Sequence, residues 1–203
     1  MIDLLVLDEV LDAAARTELL TELRASAGVA ATVTGRTTTG AVESHVRRAA
    51  HVHVVPETRA RVAAALDALR PAAEAHFGEP LGACEPPQFL RYEAGDFFVP
   101  HQDGNTPLIR DDTRFRRVSA VLFLSTPSEA PEPDTYGGGA LRFYASPFVP
   151  SPPTTAPADP GTLVAFRSET THEVTPVTHG ERYTVVTWFR AVDAPPPQGH
   201  AMR

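Results

Sequence analysis

Cysteine is almost missing from this chain. Cys84 stands alone, so no internal disulfide can form, and such usage fits a reducing compartment. Cys84 itself reads as a small buried or incidental thiol rather than a nucleophile. No apolar run approaches the roughly 18 residues of a membrane-spanning helix. The opening Met1-Ile2-Asp3 also lacks the basic segment of a secretory signal. A cytoplasmic protein without membrane contact is the expectation. Positive charge is in deficit too: 18 basic residues face 25 acidic ones, for a net charge of −7. A protein that coats nucleic acid needs a basic face, so nucleic acid is not an expected partner. Internal repeats are absent, and no linker divides the chain.

What is present suits one domain over 1–203, long enough to bury a full core. Its 42% hydrophobic and 21% charged residues are ordinary for a globular protein. Twenty prolines are about twice the usual share. They gather at 127–133, 147–160 and 195–197, which marks connections and edges, because proline offers no backbone donor. Helical support is expected mainly over 8–80, a β core over about 86–190 and a flexible proline-rich tail over 194–203.

A short strand is expected at Leu4–Leu7. Asp8 can then cap a helix carrying Leu11, Ala14, Leu19, Leu20 and Leu23 that ends near Gly28. A strand at Val29–Val33 and a mobile loop at Thr37–Gly40 follow, with a lid over a site as the second reading of that loop. Pro56 suits the first turn of a helix through Leu69. Pro71 starts another that stops at Gly78, a glycine able to end it. After Pro86-Pro87 the character changes. Gln88–Tyr92, Arg117–Ser125, Ala140–Tyr144, Gly161–Arg167, Thr171–Val177 and Arg182–Arg190 are rich in β-branched and aromatic residues, with Gly, Pro or Asp between them. No helical pattern separates these strands, so they should pair antiparallel. The fold class expected is mainly β with supporting helices: a jelly-roll core packed on N-terminal helices, with a pocket in its mouth.

Two residues apart on a strand means one face. His101 and Asp103, straight after Phe97-Phe98-Val99, can therefore converge on one metal ion. His172 enters a later strand 69 residues beyond Asp103. A short-spaced pair plus one distant histidine has the form of a two-histidine, one-carboxylate facial triad, which leaves three positions open on a non-haem Fe(II). Zinc, with three ligands and a water, stays open on spacing alone. His51 and His53 form a rival pair, but no carboxylate or third ligand accompanies them, and they read as solvated or cleft-lining. Arg182 shares a strand face with Thr184, Val186 and Trp188. Either its guanidinium meets a carboxylate inside the barrel as a bidentate fork, or it is a strand-end residue reaching water.

Together these pieces resemble the Fe(II)- and 2-oxoglutarate-dependent dioxygenases of the prolyl 4-hydroxylase-like group, whose core is a double-stranded β-helix. The likeness runs from Phe89 to Arg190, about half of the chain. It is carried by Tyr92-x-x-Gly95-x-Phe97-x-x-x-His101-x-Asp103, Arg116-x-x-Ser119, Gly138-Gly139-Ala140-Leu141-Arg142-Phe143, Pro160-Gly161-x-x-x-x-Phe166 and His172-x-Val174-x-Pro176-Val177-x-x-Gly180-x-Arg182-Tyr183. The resemblance implies His101, Asp103 and His172 as iron ligands and Arg182 on the distal carboxylate of 2-oxoglutarate. It implies Tyr92 donating its hydroxyl to that same carboxylate, with Thr184 assisting. Fe(II), 2-oxoglutarate as co-substrate and ascorbate are the implied cofactors. The implied reaction hydroxylates a peptidyl-prolyl, amino-acid or other small substrate, giving succinate and CO2.

Gly138 and Gly139 read as a tight turn or close packing. Arg116, Arg142 and Trp188 are candidate substrate residues, with Arg110 and Arg117 beside them. The loops Ala30–His45 and Gly104–Arg116 are expected to face the substrate. Related nucleic-acid demethylases carry a second arginine six residues after the first. Here Arg190 lies eight beyond Arg182, which speaks against that substrate. A cupin-like metalloenzyme without 2-oxoglutarate and a non-catalytic jelly-roll binding or sensor domain are the alternatives from other classes.

Overall fold

A computed structural model of the chain describes residues 2–31, 33–34, 39–41, 44–106, 111–145 and 151–195. Arg110, the tail from residue 196 onward and parts of the 29–45 segment lie outside the described residues. Among the described residues, no helix is long and apolar enough to cross a membrane.

The first helix, Ala13–Ala25, is capped by Asp12, whose carboxylate accepts the Ala15 N–H at 2.8 Å. The expected cap, Asp8, instead accepts a hydrogen bond from the Thr162 hydroxyl at 2.9 Å. The helix closes at Ser26, two residues before Gly28. Pro56 does open the second helix, Pro56–Asp67. This helix has no side-chain cap of its own, but Glu22 of the first helix stands in. Glu22 accepts the Val55 N–H at 2.5 Å and the Thr58 hydroxyl at 2.7 Å. The third helix, Arg70–Phe77, ends at Gly78 in the left-handed region, φ +69°.

The largest sheet has eight strands. Its order is Leu4–Leu7, Leu163–Arg167, Arg116–Phe123, Arg182–Ala191, Gln88–Tyr92, Ala50–Val52 and Gly28–Ala30, with Leu81–Cys84 also pairing with Arg182–Ala191. Strand alternation explains why its central strands are apolar on both faces. Val118, Ala120, Leu122, Leu163, Ala165 and Val185 pack on helical Leu19, Leu23, Val62, Leu66 and Phe77. Their alternates Val121, Phe123, Val164 and Phe166 turn inward, with Leu90 and Tyr92, against Leu141, Phe143, Val174 and Val177. That inner face meets a second sheet of Thr154–Thr155, Leu141–Phe143, His172–Val174, Phe97–His101 and Arg47–Arg48. The expected jelly roll on N-terminal helices is therefore present.

Three expectations are corrected. Thr171–Val177 is not one strand: it splits into His172–Val174 and Val177–Gly180, which pair in different sheets. Pro176, without an N–H, lies between them. Phe97–His101 is a strand that ends at His101, so Asp103, expected on the same strand face, lies just beyond it. Finally, Thr39 and Gly40 belong to a short strand, Thr39–Ala41, paired with Val33–Thr34 rather than to a loop.

Candidate metal centre

Antiparallel pairing places His172 directly opposite His101, with their ring centroids 4.2 Å apart. Asp103 follows the first of these strands. Its carboxylate oxygens lie 3.5 Å from His101 Nε2 and 3.6 Å from His172 Nε2. One ligand atom from each residue falls within 4.8 Å of the others, and no other such group occurs among the described residues. Each imidazole has its Nδ1 on a backbone carbonyl, Val99 for His101 at 2.8 Å and Thr170 for His172 at 2.9 Å. A carbonyl only accepts, so Nδ1 carries the proton and Nε2 presents a lone pair.

Charge states agree with that role. Burial pulls Asp103 upward, but the electrostatic pull of His172, His101 and nearby Arg116 outweighs it and holds the carboxyl well below its ordinary range. Burial, then the neighbouring His101, push His172 down to about 4 against the attraction of Asp103. At neutral pH the centre offers one carboxylate and a neutral His172 imidazole. Such a donor set fits a non-haem divalent ion with vacant positions.

The segment after His101 is stitched to the turn before His172. The Asp103 and Gly104 N–H groups both donate to the Ser168 carbonyl, at 2.9 and 3.1 Å. The Ser168 hydroxyl bonds that of Ser119 at 3.0 Å. Gln102 and Asn105 reach the Glu169 carbonyl and carboxylate. Gly104 is required sterically, because a Cβ there would sit 2.3 Å from the Thr113 carbonyl oxygen. Phe98 stacks on His101 at 3.5 Å with an interplanar angle of 15°. Phe166 packs edge-on against His172 at 4.7 Å.

Arg182 is not at a water-facing strand end. It is 1% exposed, with its guanidinium carbon 5.2 Å from the centroids of both Tyr92 and Phe123. Its polar contact among the described residues is a long 3.5 Å approach to the Thr184 hydroxyl, and its Nε has no partner. Arg190, equally buried on the same strand, is held by Asp112 at 2.9 and 3.0 Å and by Glu85 at 3.2 Å. Burying a cation without a counter-charge costs several kcal/mol, roughly. Of these two arginines, Arg182 is the one that meets no carboxylate among the described residues. Tyr92 and Phe123 belong to the same inner cluster as Phe143 and Phe166, so the guanidinium and the histidine–aspartate group border one interior.

The remaining candidates divide. Thr184 and Trp188 are buried on the strand carrying Arg182. The Trp188 indole N–H has no partner among the described residues. Arg116 is not free for a substrate: it forks onto Glu85 at 2.8 and 3.0 Å, stacks 3.6 Å over Trp188 and donates to the Asp103 carbonyl at 3.3 Å. Arg142 sits between inward Leu141 and Phe143, exposed on the outer face beside Glu173. Arg117 donates to Asn105 and to the Arg114 carbonyl. His51 and His53 acquire no third ligand among the described residues. Glu85, Phe98, Phe123 and Ser168 were not foreseen. Phe98 alone carried a signal, its place in the apolar run three residues before His101.

A family model described as the 2OG-Fe(II) oxygenase superfamily matches residues 87–190, slightly more than half of the chain. A PKHD-type hydroxylase of Shewanella sp. (strain MR-7) is 37% identical over 107 residues, which cover 53% of this chain and 43% of that protein. The match thus spans less than half the length of that curated relative. A Pseudomonas putida prolyl-4-hydroxylase structure is 26% identical, covers 94% of each chain and superposes with a TM-score of 0.67. A Trichoplax adhaerens prolyl hydroxylase, solved with a hypoxia inducible factor peptide, shares the fold at 16% identity. Its TM-score is 0.70, with coverage of 93% of this chain and 83% of that one.

Proposed function

Because the chain belongs to the 2OG-Fe(II) oxygenase superfamily, we propose that it is an Fe(II)- and 2-oxoglutarate-dependent hydroxylase acting on an unactivated C–H bond. His101, Asp103 and His172 hold the metal, and Arg182 holds the distal carboxylate of 2-oxoglutarate. The observation that carries this reading is the buried guanidinium with no carboxylate partner among the described residues, facing the interior that the two histidines and Asp103 also border.

Bound there, Fe(II) and 2-oxoglutarate supply the oxidation by dioxygen that yields succinate, CO2 and a hydroxyl group on the substrate. The protein contributes placement. The His101 and His172 Nε2 lone pairs point inward because Val99 and Thr170 hold the opposite nitrogens. Arg182 forms a charge-assisted fork with the far carboxylate. Tyr92, whose hydroxyl makes no hydrogen bond among the described residues, donates to the same group, and Thr184 adds a second hydroxyl. The rings of Phe98, Phe143 and Phe166 exclude water. Trp188 takes the substrate side, with its indole N–H as donor. Arg116 supports Asp103 instead of substrate, and Arg142 has no part.

The substrate class is a peptidyl-prolyl, amino-acid or other small molecule. The prolyl hydroxylases among similar proteins support the peptide within that range. A cupin-like enzyme without 2-oxoglutarate would leave the uncompensated Arg182 without a purpose.

Anaerobic titration with Fe(II) and then 2-oxoglutarate tests the reading. The expected result is the weak visible charge-transfer band of the chelate in wild-type protein and its loss in Asp103→Ala. No band in wild-type protein, or an undiminished one in the variant, overturns it. Succinate release with proline-containing peptides against free amino acids then decides the substrate class.

A further inference from the structure

Gly138, which ends the strand Thr135–Gly138, and Gly139 just after it both adopt positive φ, +67° and +59°, ahead of Leu141–Phe143. Their spatial roles differ. A Cβ on Gly138 would meet the Pro176 carbonyl oxygen at 2.3 Å, so that glycine permits backbone to lie on backbone. A Cβ on Gly139 would meet Arg182 Cδ at 2.8 Å, Val177 Cγ2 at 3.0 Å and Tyr136 Cε2 at 3.4 Å. None of these neighbours has room to retreat. Val177 and Tyr136 are each 2% exposed, and Arg182 is clamped between the Tyr92 and Phe123 rings. The guanidinium is thus bounded by two aromatic walls, and its stem passes through the space that the missing side chain at 139 leaves open.

We propose that Gly139 is a positioning residue that sets the depth of the Arg182 guanidinium, and so selects the chain length of the 2-oxo dicarboxylic acid the site accepts. The inference rests on the reading that Arg182 binds the distal carboxylate. Its physical basis is the narrow geometry of a guanidinium–carboxylate fork, whose two parallel hydrogen bonds tolerate little displacement. One end of the acid is anchored at His101, Asp103 and His172. A carbon chain of the wrong length then cannot bring its far carboxylate into the fork. Displacing Arg182 has the same consequence.

Calorimetric binding to the Fe(II)-loaded protein under anaerobic conditions tests this with three ligands. These are 2-oxoglutarate, 2-oxopentanoate (the same chain without the distal carboxylate) and 2-oxoadipate (one methylene longer). Gly139→Ala is expected to weaken 2-oxoglutarate by roughly tenfold or more while leaving 2-oxopentanoate within about twofold, so that preference for the distal carboxylate collapses. Gly78→Ala places a side chain at φ +69° with nothing within 4 Å, and all three affinities should be unchanged. Phe123→Leu approaches the guanidinium from another side and keeps the test open should Gly139→Ala not fold. It should narrow the preference for 2-oxoglutarate over 2-oxoadipate.

An equal fall for the monoacid and the diacid in Gly139→Ala would mean general damage and overturn the proposal. So would unchanged preferences in Gly139→Ala, or in Phe123→Leu where only that variant folds. Arg182→Met separates the two levels of argument. If it binds 2-oxoglutarate as tightly as wild type, the reading of Arg182 itself fails. If it loses the ligand while the folded variants at 139 and 123 keep their preferences, only the role of Gly139 fails.

Discussion

Arg182 and Arg190 lie on one strand, are almost equally buried and differ in what they meet. Arg190 closes a network with Asp112 and Glu85, whereas Arg182 has aromatic faces and one distant hydroxyl. A buried charge without a counter-charge carries a desolvation cost of roughly several kcal/mol, which a matched apolar side chain does not. Arg182→Met should therefore raise or preserve the melting temperature of the ligand-free protein. The same change should weaken 2-oxoglutarate by roughly two orders of magnitude, the scale of a lost buried charge pair. Thermal melts and co-substrate titrations check both halves, and a variant that melts lower yet binds normally would refute the assignment. The two-residue spacing of His101 and Asp103 singled them out, but the strand ends at His101, and the hydrogen bond from the Asp103 N–H to the Ser168 carbonyl is what fixes the carboxylate. Parity held the answer for Arg142, which alternates with inward Leu141 and Phe143. Arg116 was not legible. Its partner Glu85 lies 31 positions earlier, and nothing local to either residue announces the pair.

Among the elements, the strand Phe97–His101 and the strand His172–Val174 matter less than the connections that hold them in register. Ser168 accepts from Asp103 and Gly104, while Gly104 fits under Thr113 only because it lacks a Cβ. Gly104→Ala should push the Asp103 carboxylate off the common point. Fe(II) affinity is expected to fall by roughly 10–100-fold, the usual effect of disturbing groups that orient a ligand, with far-ultraviolet circular dichroism unchanged. Competition with a metal-sensitive chelator measures it, and unaltered affinity would show that the junction does not set the ligand. Helix ends were half legible in the sequence. Pro56 and Gly78 act locally and were read correctly. Asp8 and Asp12 are chemically equal caps, and only the contact of Asp8 with Thr162, 154 residues away, tells them apart. The break at Pro176, where one β-forming stretch serves two sheets, likewise depends on which distant strands each half meets.

Across the whole molecule, titration adds a dependence on pH. Burial first, then the charges of Arg47 and His53, push His51 from 6.5 down to about 4. Its folded value lies below its unfolded one, so the unfolded chain binds more protons between them and stability rises with pH through that window. The contribution is intact above about 6.5 and is lost as pH falls toward 4. The urea midpoint of metal-free protein should drop between pH 7 and pH 5, and His51→Gln should flatten part of that drop. His172, also lowered to about 4, accounts for a further part, which the variant retains. An identical pH slope in wild type and His51→Gln would remove His51 from the account.

Taken by itself, the sequence determined what depends on residues near one another along the chain. The inward series Arg182, Thr184 and Trp188, the helix signals at Pro56 and Gly78, and the antiparallel β class all follow from periods of 2 and 3.6 and from the chemistry of proline and glycine. Tertiary structure decided what depends on meetings across long separations. It brought His172 opposite His101 and, among the described residues, left Arg182 buried without a carboxylate while giving Arg190 two. It also committed Arg116 to Glu85 and made the absent side chain of Gly139 a neighbour of Arg182. Such pairings are chosen by packing and charge compensation across the two sheets, and those forces leave no period in the sequence.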